Sequence, residues 1–542
     1  MYLTKQTVAF TQDIRVNGVV WRQQDLLVGK VGFLLNQQVQ YVLKHQSDVQ
    51  VLQCFVVQVE FGLVMVEVQD VFGCQNLDFQ RVGVQVLFEQ VLVRGVVQYG
   101  LFLVWEVLNG QVGSMTVEGV VPIREAVVSH FASHFKAVSI DRPGLDNLSF
   151  KQLNTVEVSN LIKPFSLEEV KATVWDWDSF KSPGPDGINF GFIKDFWNEL
   201  KGDLMRFIVE FHRNGKLTKG LNATFIALIP KVDSPQRLND FRPISLVGSL
   251  YKILAKVLAN RLRLVVGSVI SESQSAFVKG RQILDGILIA NEVVDEARRS
   301  KKDLMLFKVD FEKAYDSVDW GYLDSVMGSM GFPTLWRKWI RECVCTATTS
   351  VLVNGSPTDE FPLERGLRQG DPLSPFLFLL AAEGLHVLME ALVERNLFSG
   401  YSMGSEAPVS VSHLQFADDT LLMGTKSWAN VRALRAALVL FESMSGLKVN
   451  FNKSLLVGVN IPDSWLGEAA SALSCRVGKI PFLYLGLSIG GDPRRISFWE
   501  PMLDRLKSRL SGWQSRFLSF GGRLILLKSV LTFLPVYRNN FV

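Results

Sequence analysis

The feature that most restricts the fold of this chain is an acidic pair set between two short apolar arms. Asp418 and Asp419 follow Leu414–Ala417 and precede Thr420–Leu422. Short apolar arms around a polar centre are typical of a β-hairpin, with the acidic pair in or beside the turn. Because Asp is common in turns of many proteins, the pair alone indicates little. Two adjacent carboxylates nevertheless repel each other unless a cation or a proton lies between them.

A third carboxylate ends a separate apolar run. Leu304–Val309 has the composition of a buried strand, and Asp310 follows it directly. A strand-end acid of this kind can simply pair with a nearby lysine. If the strand lies beside the hairpin, however, three carboxylates meet at the same end of one sheet. Such a group of oxygen ligands favours hard cations such as Mg²⁺ or Mn²⁺. Two such ions roughly 3.5–4 Å apart can support an in-line phosphoryl transfer that asks little else of the protein.

A polar loop between these segments, Gly366–Pro375, leads into a long apolar stretch. Asp371 and Ser374 each precede a proline, and either could cap the helix predicted to follow. Glu383 and Glu390 interrupt the apolar stretch. We therefore expect a buried helix there rather than a membrane span.

Composition indicates a globular protein with a large core and says little about its partners. Of the 542 residues, 48% are hydrophobic and 20% are charged, which excludes wholesale disorder. The net charge is +4, with −3 on residues 1–120 and +7 on the remainder. That excess fits a nucleic-acid groove and equally fits many other proteins. The five cysteines form neither a disulfide framework nor a zinc signature, which indicates reduced thiols in an intracellular protein.

The first 115 residues differ in character from the rest. Val and Gln dominate there and alternate with other residues, as in Val56–Glu60 and Val82–Val86. A period of two with β-branched residues predicts strands. No function can be assigned to this segment from its sequence.

Helical patterns follow, up to about residue 221. One predicted helix runs from Ser166 to Trp175, with Ser166 as its cap and Glu169 three residues on. A later helix places Lys252 and Arg261 opposite an apolar stripe. Standing alone, such a basic side is expected to be a solvated face.

Taken in order, these segments resemble the palm motifs of reverse transcriptases. The amino-acid sequences of these motifs resemble those of retrotransposons without long terminal repeats, of the LINE type common in plants. Seven ordered matches with compatible spacing carry the resemblance, which covers the chain from about residue 120 onward. The matching segments are Pro183–Gly187, Phe241–Ser245, Gln274–Arg281, Asp310–Asp316, Arg368–Pro375, Phe416–Asp419 and Tyr484–Leu487.

The resemblance implies which residues would hold the metal ions and which would donate a proton in the reaction. Two Mg²⁺ ions, or Mn²⁺ in their place, would be held by Asp310, Asp418, Asp419 and the Phe311 carbonyl. Lys453 would protonate the leaving pyrophosphate, although Lys448 is a near competitor for that role.

It also implies a pocket for the nucleotide and contacts for the nucleic acid. Tyr315 would exclude the ribose 2′ hydroxyl and so select deoxynucleotides. The other residues implied in the nucleotide pocket are Lys231, Arg242, Gln369 and Gly370. The residues implied in template and primer contacts are Gly184, Arg281, Tyr484, Leu485 and Gly486.

The implied fold is mixed α/β (α+β), a right-hand polymerase with fingers, an antiparallel-sheet palm and a partial helical thumb. We expect a Val/Gln-rich segment at 1–115, a helical region at 116–221, fingers and palm at 222–490 and the start of a truncated thumb at 491–542. The implied activity is that of an RNA-directed DNA polymerase. Its partners would be an RNA template, a DNA primer and deoxynucleoside triphosphates, with no membrane. The implied location is the nucleus, or the cytoplasm as a ribonucleoprotein.

Two alternatives keep the fold and change the function. An inactive RNA-binding remnant of a retroelement polymerase would fit the incomplete thumb and the lack of a recognisable endonuclease, cysteine–histidine knuckle or ribonuclease H region. The second alternative is an intron-encoded maturase. The amino-acid sequences of Phe416–Asp419 and of the Gly366–Pro375 loop argue against it. The intact set of three aspartates favours an active polymerase.

Overall fold

The structure is a computed structural model. It describes residues 119–492 apart from 139, 233, 236 and 405–407, together with scattered residues from 494 to 507 and the backbone of four short strands before residue 70. The chain divides into two compact units, residues 1–87 and 88–542. Most of the predicted thumb, 491–542, lies outside the described residues.

Two antiparallel hairpins are described in the first unit. They pair β1 (Ile14–Val16) with β2 (Val19–Trp21), and β3 (Phe55–Glu60) with β4 (Leu63–Val68). Strand β3 confirms the strand predicted from the alternation at Val56–Glu60. The alternation at Val82–Val86 lies outside the described residues.

The second unit alternates helices with short strands. Its described helices are α1 (Val120–His134), α2 (Thr155–Ile162), α3 (Leu167–Trp175), α4 (Phe190–Asp195), α5 (Trp197–Asn214), α6 (Ser249–Val269), α7 (Ile283–Ser300), α8 (Ala314–Ser317), α9 (Trp320–Ser329), α10 (Thr334–Cys345), α11 (Ser374–Glu394), α12 (Trp428–Ser445) and α13 (Asp463–Leu473). Its described strands are β5 (Ala223–Pro230), β6 (Phe241–Val247), β7 (Leu304–Val309), β8 (Thr348–Val353), β9 (Ser356–Pro357), β10 (Phe361–Pro362), β11 (Tyr401–Met403), β12 (Val409–Val411), β13 (His413–Phe416), β14 (Asp419–Gly424), β15 (Leu455–Val459), β16 (Arg476–Val477), β17 (Phe482–Tyr484) and β18 (Leu487–Ile489).

Five strands form a sheet that we call the palm sheet, in the order β13-β14-β7-β15-β16. The pairs β13–β14, β14–β7 and β7–β15 are antiparallel, whereas β16 joins β15 in parallel at the edge. The predicted antiparallel sheet is therefore present, with one parallel strand added to it. The predicted strand before Asp310 is β7, at the centre of this sheet.

Alternate residues of β7 serve two different cores. Met305 and Phe307 belong to the core that includes α11 and α12. Leu304 and Leu306 belong to a second core, which includes α7 and the β17–β18 hairpin. A strand whose side chains alternate between two apolar layers is buried on both faces, which explains why its sequence reads as a continuous apolar run.

The long apolar stretch forms α11, which is long and apolar enough to cross a membrane. In this protein 72% of its most apolar window is buried inside the structure, as the sequence predicted for a core helix. The predicted caps are wrong, because the helix begins after Leu373 and has no side-chain cap. The Asp371 carboxylate instead accepts a hydrogen bond from the Leu373 amide, at 2.9 Å, in the turn before the helix.

A second sheet, which we call the fingers sheet, has the order β10-β8-β5-β6, with β9 paired to β8. Helix α1 contributes Ile123, Val127 and Phe131 to a core that also contains Ile226 of β5 and Val351 of β8. The 3.6-residue period of these apolar positions explains the helix, and burying them fixes α1 against this sheet.

Helix α3 confirms its predicted start, since the Ser166 hydroxyl accepts a hydrogen bond from the Glu169 amide at 3.2 Å. The solvated face expected on α6 is wrong at two positions. Arg261 is 3% exposed and holds both carboxylate oxygens of Glu169 at 2.8 Å. Lys252 is 4% exposed and donates to the Ser182 carbonyl oxygen at 3.0 Å. Burial lowers the pKa of Lys252 to about 8. Helical spacing cannot show that other elements cover this side.

A buried ion pair connects the fingers sheet to the start of α11. The guanidinium of Arg368 donates to Asp371 Oδ2 at 2.8 Å and to Asn222 Oδ1 at 2.7 Å. It also donates to the Cys343 carbonyl oxygen at 3.2 Å and lies 4.3 Å from the centre of the Tyr251 ring. Because Tyr251 also donates to Asp371 Oδ2, at 2.8 Å, the buried carboxylate has two donors.

We predict that Arg368→Met destabilises the protein by about 3–5 kcal/mol, because it leaves the Asp371 carboxylate buried without its cation. The measurement is urea unfolding of the full chain. Arg206→Met is the matched control, since Arg206 pairs with Asp203 on the surface and should matter little. Equal shifts of the unfolding midpoint in the two variants would contradict the prediction.

Candidate active site and nucleotide pocket

The acidic pair lies at the turn of the β13–β14 hairpin, as its sequence predicts. Phe416 pairs with Asp419, so Ala417 and Asp418 form a two-residue turn. Ala417 has a φ of 54°, a left-handed conformation that is strained for a residue other than glycine. Gln274 holds this turn, because its Oε1 accepts from the Ala417 amide at 2.8 Å and its Nε2 donates to the Ala417 carbonyl oxygen at 3.5 Å.

Asp310 lies beside this hairpin. Thr420 of β14 pairs with Val309 of β7, so the next residues toward the turn are Asp419 on one strand and Asp310 on the other. The Asp310 amide donates to Ser454 Oγ at 3.1 Å, and its carbonyl oxygen accepts from the Asn450 amide at 2.7 Å. The structure therefore brings the carboxylates of two adjacent palm strands to the same end of the palm sheet.

The position of Phe311 is set by its neighbours. It forms an isolated antiparallel bridge with Val449. The two hydrogen bonds of that bridge are made by Asp310 and by Glu312, whose amide donates to the Lys448 carbonyl oxygen at 2.8 Å. These two hydrogen bonds thus hold the backbone that follows β7 against the loop formed by residues 448–450.

The charges around Asp310 act in opposite directions. Burial is the largest cause that raises the pKa of this carboxyl above its ordinary value, and the negative charge of Asp419 raises it further. Lys453 and Lys308 counteract this rise. Lys448 is engaged elsewhere, since its ammonium lies 3.0 Å from the Glu312 carboxylate. Of the two lysines, Lys453 is therefore the one whose charge acts on Asp310.

The donor set suits divalent cations, because aspartate oxygens are the ligands that Mg²⁺ and Mn²⁺ prefer. The pKa of Asp310, raised by burial and by Asp419, indicates a place where a positive charge would be stabilising. Within the described part of the chain, no group of three or more His, Cys, Asp or Glu side chains is arranged as a finished metal site. The fit of these carboxylates to divalent ions thus rests on their chemistry and on their common position at one end of the palm sheet.

Tyr315 follows β7 and lies next to the acidic pair. Its ring stacks on Phe378 of α11, with centroids 4.5 Å apart and planes 11° apart. Burial and the charge of Asp418 raise the pKa of its hydroxyl. The Tyr315 carbonyl oxygen accepts from the Leu367 amide at 2.7 Å, which joins this segment to the Gly366–Pro375 loop. A rigid aromatic wall thus stands beside the carboxylates.

Gln369 and Gly370 lie where that loop meets the fingers sheet. The Gln369 carbonyl oxygen accepts from the Ser245 amide at 2.7 Å, and its side chain donates to Asp316 Oδ1 at 3.1 Å. Gly370 has a φ of 107°, and a Cβ there would lie 2.7 Å from the Ser245 carbonyl oxygen. Only glycine permits this close approach of the two backbones.

Two cations extend from the β5–β6 hairpin toward the same region. Arg242 of β6 pairs with Ile229 of β5, one residue from the end of the hairpin. Lys231 follows β5 and donates to the Asn239 carbonyl oxygen at 3.0 Å. Burial lowers the pKa of Lys231, and the charges of Arg242 and Lys453 lower it further, while Asp316 raises it. Basic and acidic groups from the two sheets are therefore close enough to influence one another.

The predicted template and primer residues make structural contacts. A Cβ on Gly184 would lie 2.4 Å from the Val247 backbone, so this loop packs tightly at the start of α6. The Arg281 guanidinium donates to the carbonyl oxygens of Ser271, Gln274 and Ile270. The roles proposed for Gly184 and Arg281 in binding nucleic acid stay predictions.

The β17–β18 hairpin contacts the acidic hairpin directly. The buried Tyr484 hydroxyl donates to the Asp419 carbonyl oxygen at 3.3 Å. Leu485 and Gly486 form its turn, with φ values of 50° and 87°. A segment implied to position the primer thus lies against the backbone of a predicted metal ligand, and its role with primer stays a prediction.

Sequence reasoning assigned no role to several residues at this site. Gln274 and Asp316 lie inside matching motifs, yet only the structure shows that they hold the Ala417 turn and the Gln369 side chain. His134 lies in none of the matching motifs, and its Nε2 lies 3.2 Å from Asp316 Oδ2. A single histidine at the end of a helix carries no sequence signal that could have revealed this contact.

Known proteins match this region. Residues 229–489 match the family described as reverse transcriptase (RNA-dependent DNA polymerase). Residues 229–489 form a reverse transcriptase domain. The chain is 28% identical over 379 residues to the uncharacterized 149 kDa protein of transposon TX1 from Xenopus laevis, which covers 69% of this chain and 28% of that protein. It is 27% identical over 323 residues to a retrovirus-related Pol polyprotein from the type-1 retrotransposable element R2 of Popillia japonica, covering 59% of this chain and 42% of that one.

The reverse transcriptase domain is of the kind found in non-LTR retrotransposons, and the chain spans less than half the length of these two relatives. Among solved structures, apo telomerase from Candida tropicalis, truncated from its C-terminal domain, is 16% identical with a TM-score of 0.35. That match covers 56% of this chain and 59% of the telomerase chain.

We predict that Lys453→Met raises the pKa of Asp310 further, because it removes a positive charge that stabilises the carboxylate. The measurement is a ¹³C carboxyl titration of the full chain with labelled aspartate, assigned with Asp310→Asn. Lys448→Met is the matched control and should leave the Asp310 pKa unchanged, since Lys448 pairs with Glu312. The same rise in both variants would contradict the assignment of this effect to Lys453.

Proposed function

We propose that this chain is an RNA-directed DNA polymerase that adds deoxynucleotides to the 3′ end of a primer. The observation that carries the proposal is the meeting of Asp310 with the Asp418–Asp419 turn on adjacent palm strands. Lys231, which follows β5 of the fingers sheet, interacts electrostatically with Asp316 and with Lys453, and the charge of Lys453 acts on Asp310. An RNA template, a DNA primer and deoxynucleoside triphosphates are the partners that this chemistry requires, and the match of residues 229–489 supports them.

Asp310, Asp418 and Asp419, with the Phe311 carbonyl oxygen, would hold two Mg²⁺ ions. When bound, such ions activate the primer hydroxyl and neutralise the charge of the leaving pyrophosphate. Mn²⁺ has the same ligand preference and would substitute for Mg²⁺.

The protein groups around the acids have complementary tasks. Lys231 and Arg242 neutralise the triphosphate, which suits their location at the end of the β5–β6 hairpin. Lys453, whose charge acts on Asp310, supplies the proton to the leaving pyrophosphate. Glycine at position 370 lets the loop pack directly against Ser245 of the fingers sheet, which holds the loop in place as one side of the proposed nucleotide pocket.

Finer features of the proposal rest on the resemblance. We propose fingers and palm at 222–490, with a thumb that starts at 491, and a nuclear location. The origin in a plant LINE-type element is proposed in the same way.

We predict that Asp310→Ala and Asp418→Ala each abolish primer extension on an RNA template, because each removes a ligand for the divalent ions. The measurement is extension of a DNA primer by purified full chain with Mg²⁺. Asp203→Ala, at an exposed helical position, is the matched control and should retain activity.

Activity that persists in either site variant would refute the assignment of the site. If folded wild type extends no primer but binds RNA, the inactive remnant becomes the correct description. Circular dichroism of each variant establishes that the fold is retained.

We predict that Tyr315→Ala allows ribonucleotides to be incorporated, because the aromatic wall beside the carboxylates is lost. Tyr315→Phe is the matched control, since it retains the ring and removes only the hydroxyl. The measurement is the ratio of kcat/KM for a deoxynucleotide to that for the matching ribonucleotide. An unchanged ratio in Tyr315→Ala would refute a role in sugar selection.

A further inference from the structure

The last residue of α1 contacts the segment that follows β7. His134 lies well before residue 229, where the reverse transcriptase match begins. Its side chain is 8% exposed, and its Nε2 lies 3.2 Å from Oδ2 of Asp316, whose side chain is 5% exposed. A helix outside the matched domain therefore contributes a buried polar side chain to the segment that follows β7.

The neighbours of His134 determine its hydrogen-bonding pattern. Lys313 Nζ lies 2.8 Å from His134 Nδ1. Because an ammonium group can only donate, Nδ1 must be the acceptor. The proton of the neutral ring is then on Nε2, where it is donated to Asp316. Both ring nitrogens are therefore satisfied by groups of the segment after β7.

The end of α1 is also fixed by its backbone. Arg365 donates from Nε and Nη2 to the His134 carbonyl oxygen, at 3.2 and 2.7 Å. The Glu364 amide donates to the Phe135 carbonyl oxygen at 3.1 Å, and the Glu364 carboxylate accepts from the Ala137 amide at 2.9 Å. These residues immediately precede the loop that carries Gln369. The helix end and the loop are thus joined on both sides of the His134 ring.

Asp316 connects His134 to the predicted nucleotide pocket. Its Oδ2 accepts from His134, and its Oδ1 accepts from Gln369 Nε2 at 3.1 Å. Its charge also acts on three nearby cations, Lys231, Lys313 and Arg365. A buried carboxylate with donors on both oxygens has one preferred orientation, so the His134 contact also determines where the Gln369 amide is held.

We propose that His134 is a positioning residue for the incoming nucleotide, acting through Asp316 to fix the side chain of Gln369. The proposal rests on the proposed function, since it concerns the same pocket. It assigns to α1, a helix outside the matched domain, an indirect part in nucleotide binding. The reacting atoms are not touched by His134, so the expected effect falls on binding of the nucleotide rather than on the chemical step.

The test compares steady-state primer extension by the full chain with varied deoxynucleotide concentration. His134→Ala should raise the KM for the nucleotide about tenfold and change kcat by less than about twofold. His134→Gln should recover most of the loss, because an amide still donates to Asp316. His130→Ala is the matched control: His130 is on the same helix, its ring lies 6.5 Å from that of His134, and it should leave KM unchanged.

The route through Gln369 is tested in a second background. In Gln369→Ala, adding His134→Ala should change KM by less than about twofold, because the side chain that His134 positions is already absent. An additional tenfold effect there would overturn the proposed route. An unchanged KM in His134→Ala with active wild type would overturn the proposal while leaving the proposed function intact.

If His134→Ala does not fold, Asp316→Asn, which retains the side-chain volume, should raise KM in the same way, and an unchanged KM would overturn the proposal. If folded wild type extends no primer, the proposed function fails and binding is measured instead with a fluorescent N-methylanthraniloyl deoxynucleoside triphosphate. Weaker binding in His134→Ala than in His130→Ala would then support the positioning role. Equal binding in the two variants would overturn it.

Discussion

The buried guanidinium of Arg368 is the interaction on which the arrangement of this site depends. It joins Asn222 before β5, Cys343 at the end of α10 and Asp371 before α11, and it stacks on Tyr251 of α6. A buried charge is tolerated only when its partners are in place, so these four elements cannot separate without leaving Arg368 or Asp371 unpaired. The loop that carries Gln369 and Gly370 lies between the two members of this ion pair and is held with them.

From that junction, backbone hydrogen bonds extend to both walls of the pocket. The Leu367 amide donates to Tyr315, on the palm side, and the Ser245 amide donates to Gln369, on the fingers side, each at 2.7 Å. The loop therefore sets the distance between the fingers sheet and the segment after β7. With this spacing fixed by the backbone, the side chains of Tyr315 and Gln369 are held in place for the nucleotide contact proposed for them.

How much of this could be predicted from the sequence depends on whether the signal is local. The β13–β14 hairpin, β7 and α11 are predicted correctly because each has its own periodicity or turn residues. The solvated positions expected at Lys252 and Arg261 are wrong because helical spacing shows which side is polar but not what covers it. The contacts of Gln274 with Ala417 and of His134 with Asp316 join residues more than 140 positions apart, and a single sequence carries no record of such pairs.

The electrostatics of the pocket explain why so many contacts are needed to hold it. Burial and Asp419 raise the pKa of Asp310, while burial and neighbouring cations lower the pKa values of Lys231, Lys313 and Arg365. Each shift shows that the charged form is disfavoured where the fold places it. Groups of like charge are thus held near one another at a cost to stability, and such an arrangement is typical of functional sites. A triphosphate would relieve the repulsion among the cations, and divalent ions would relieve that among the carboxylates. Binding of these proposed ligands would therefore offset part of that cost.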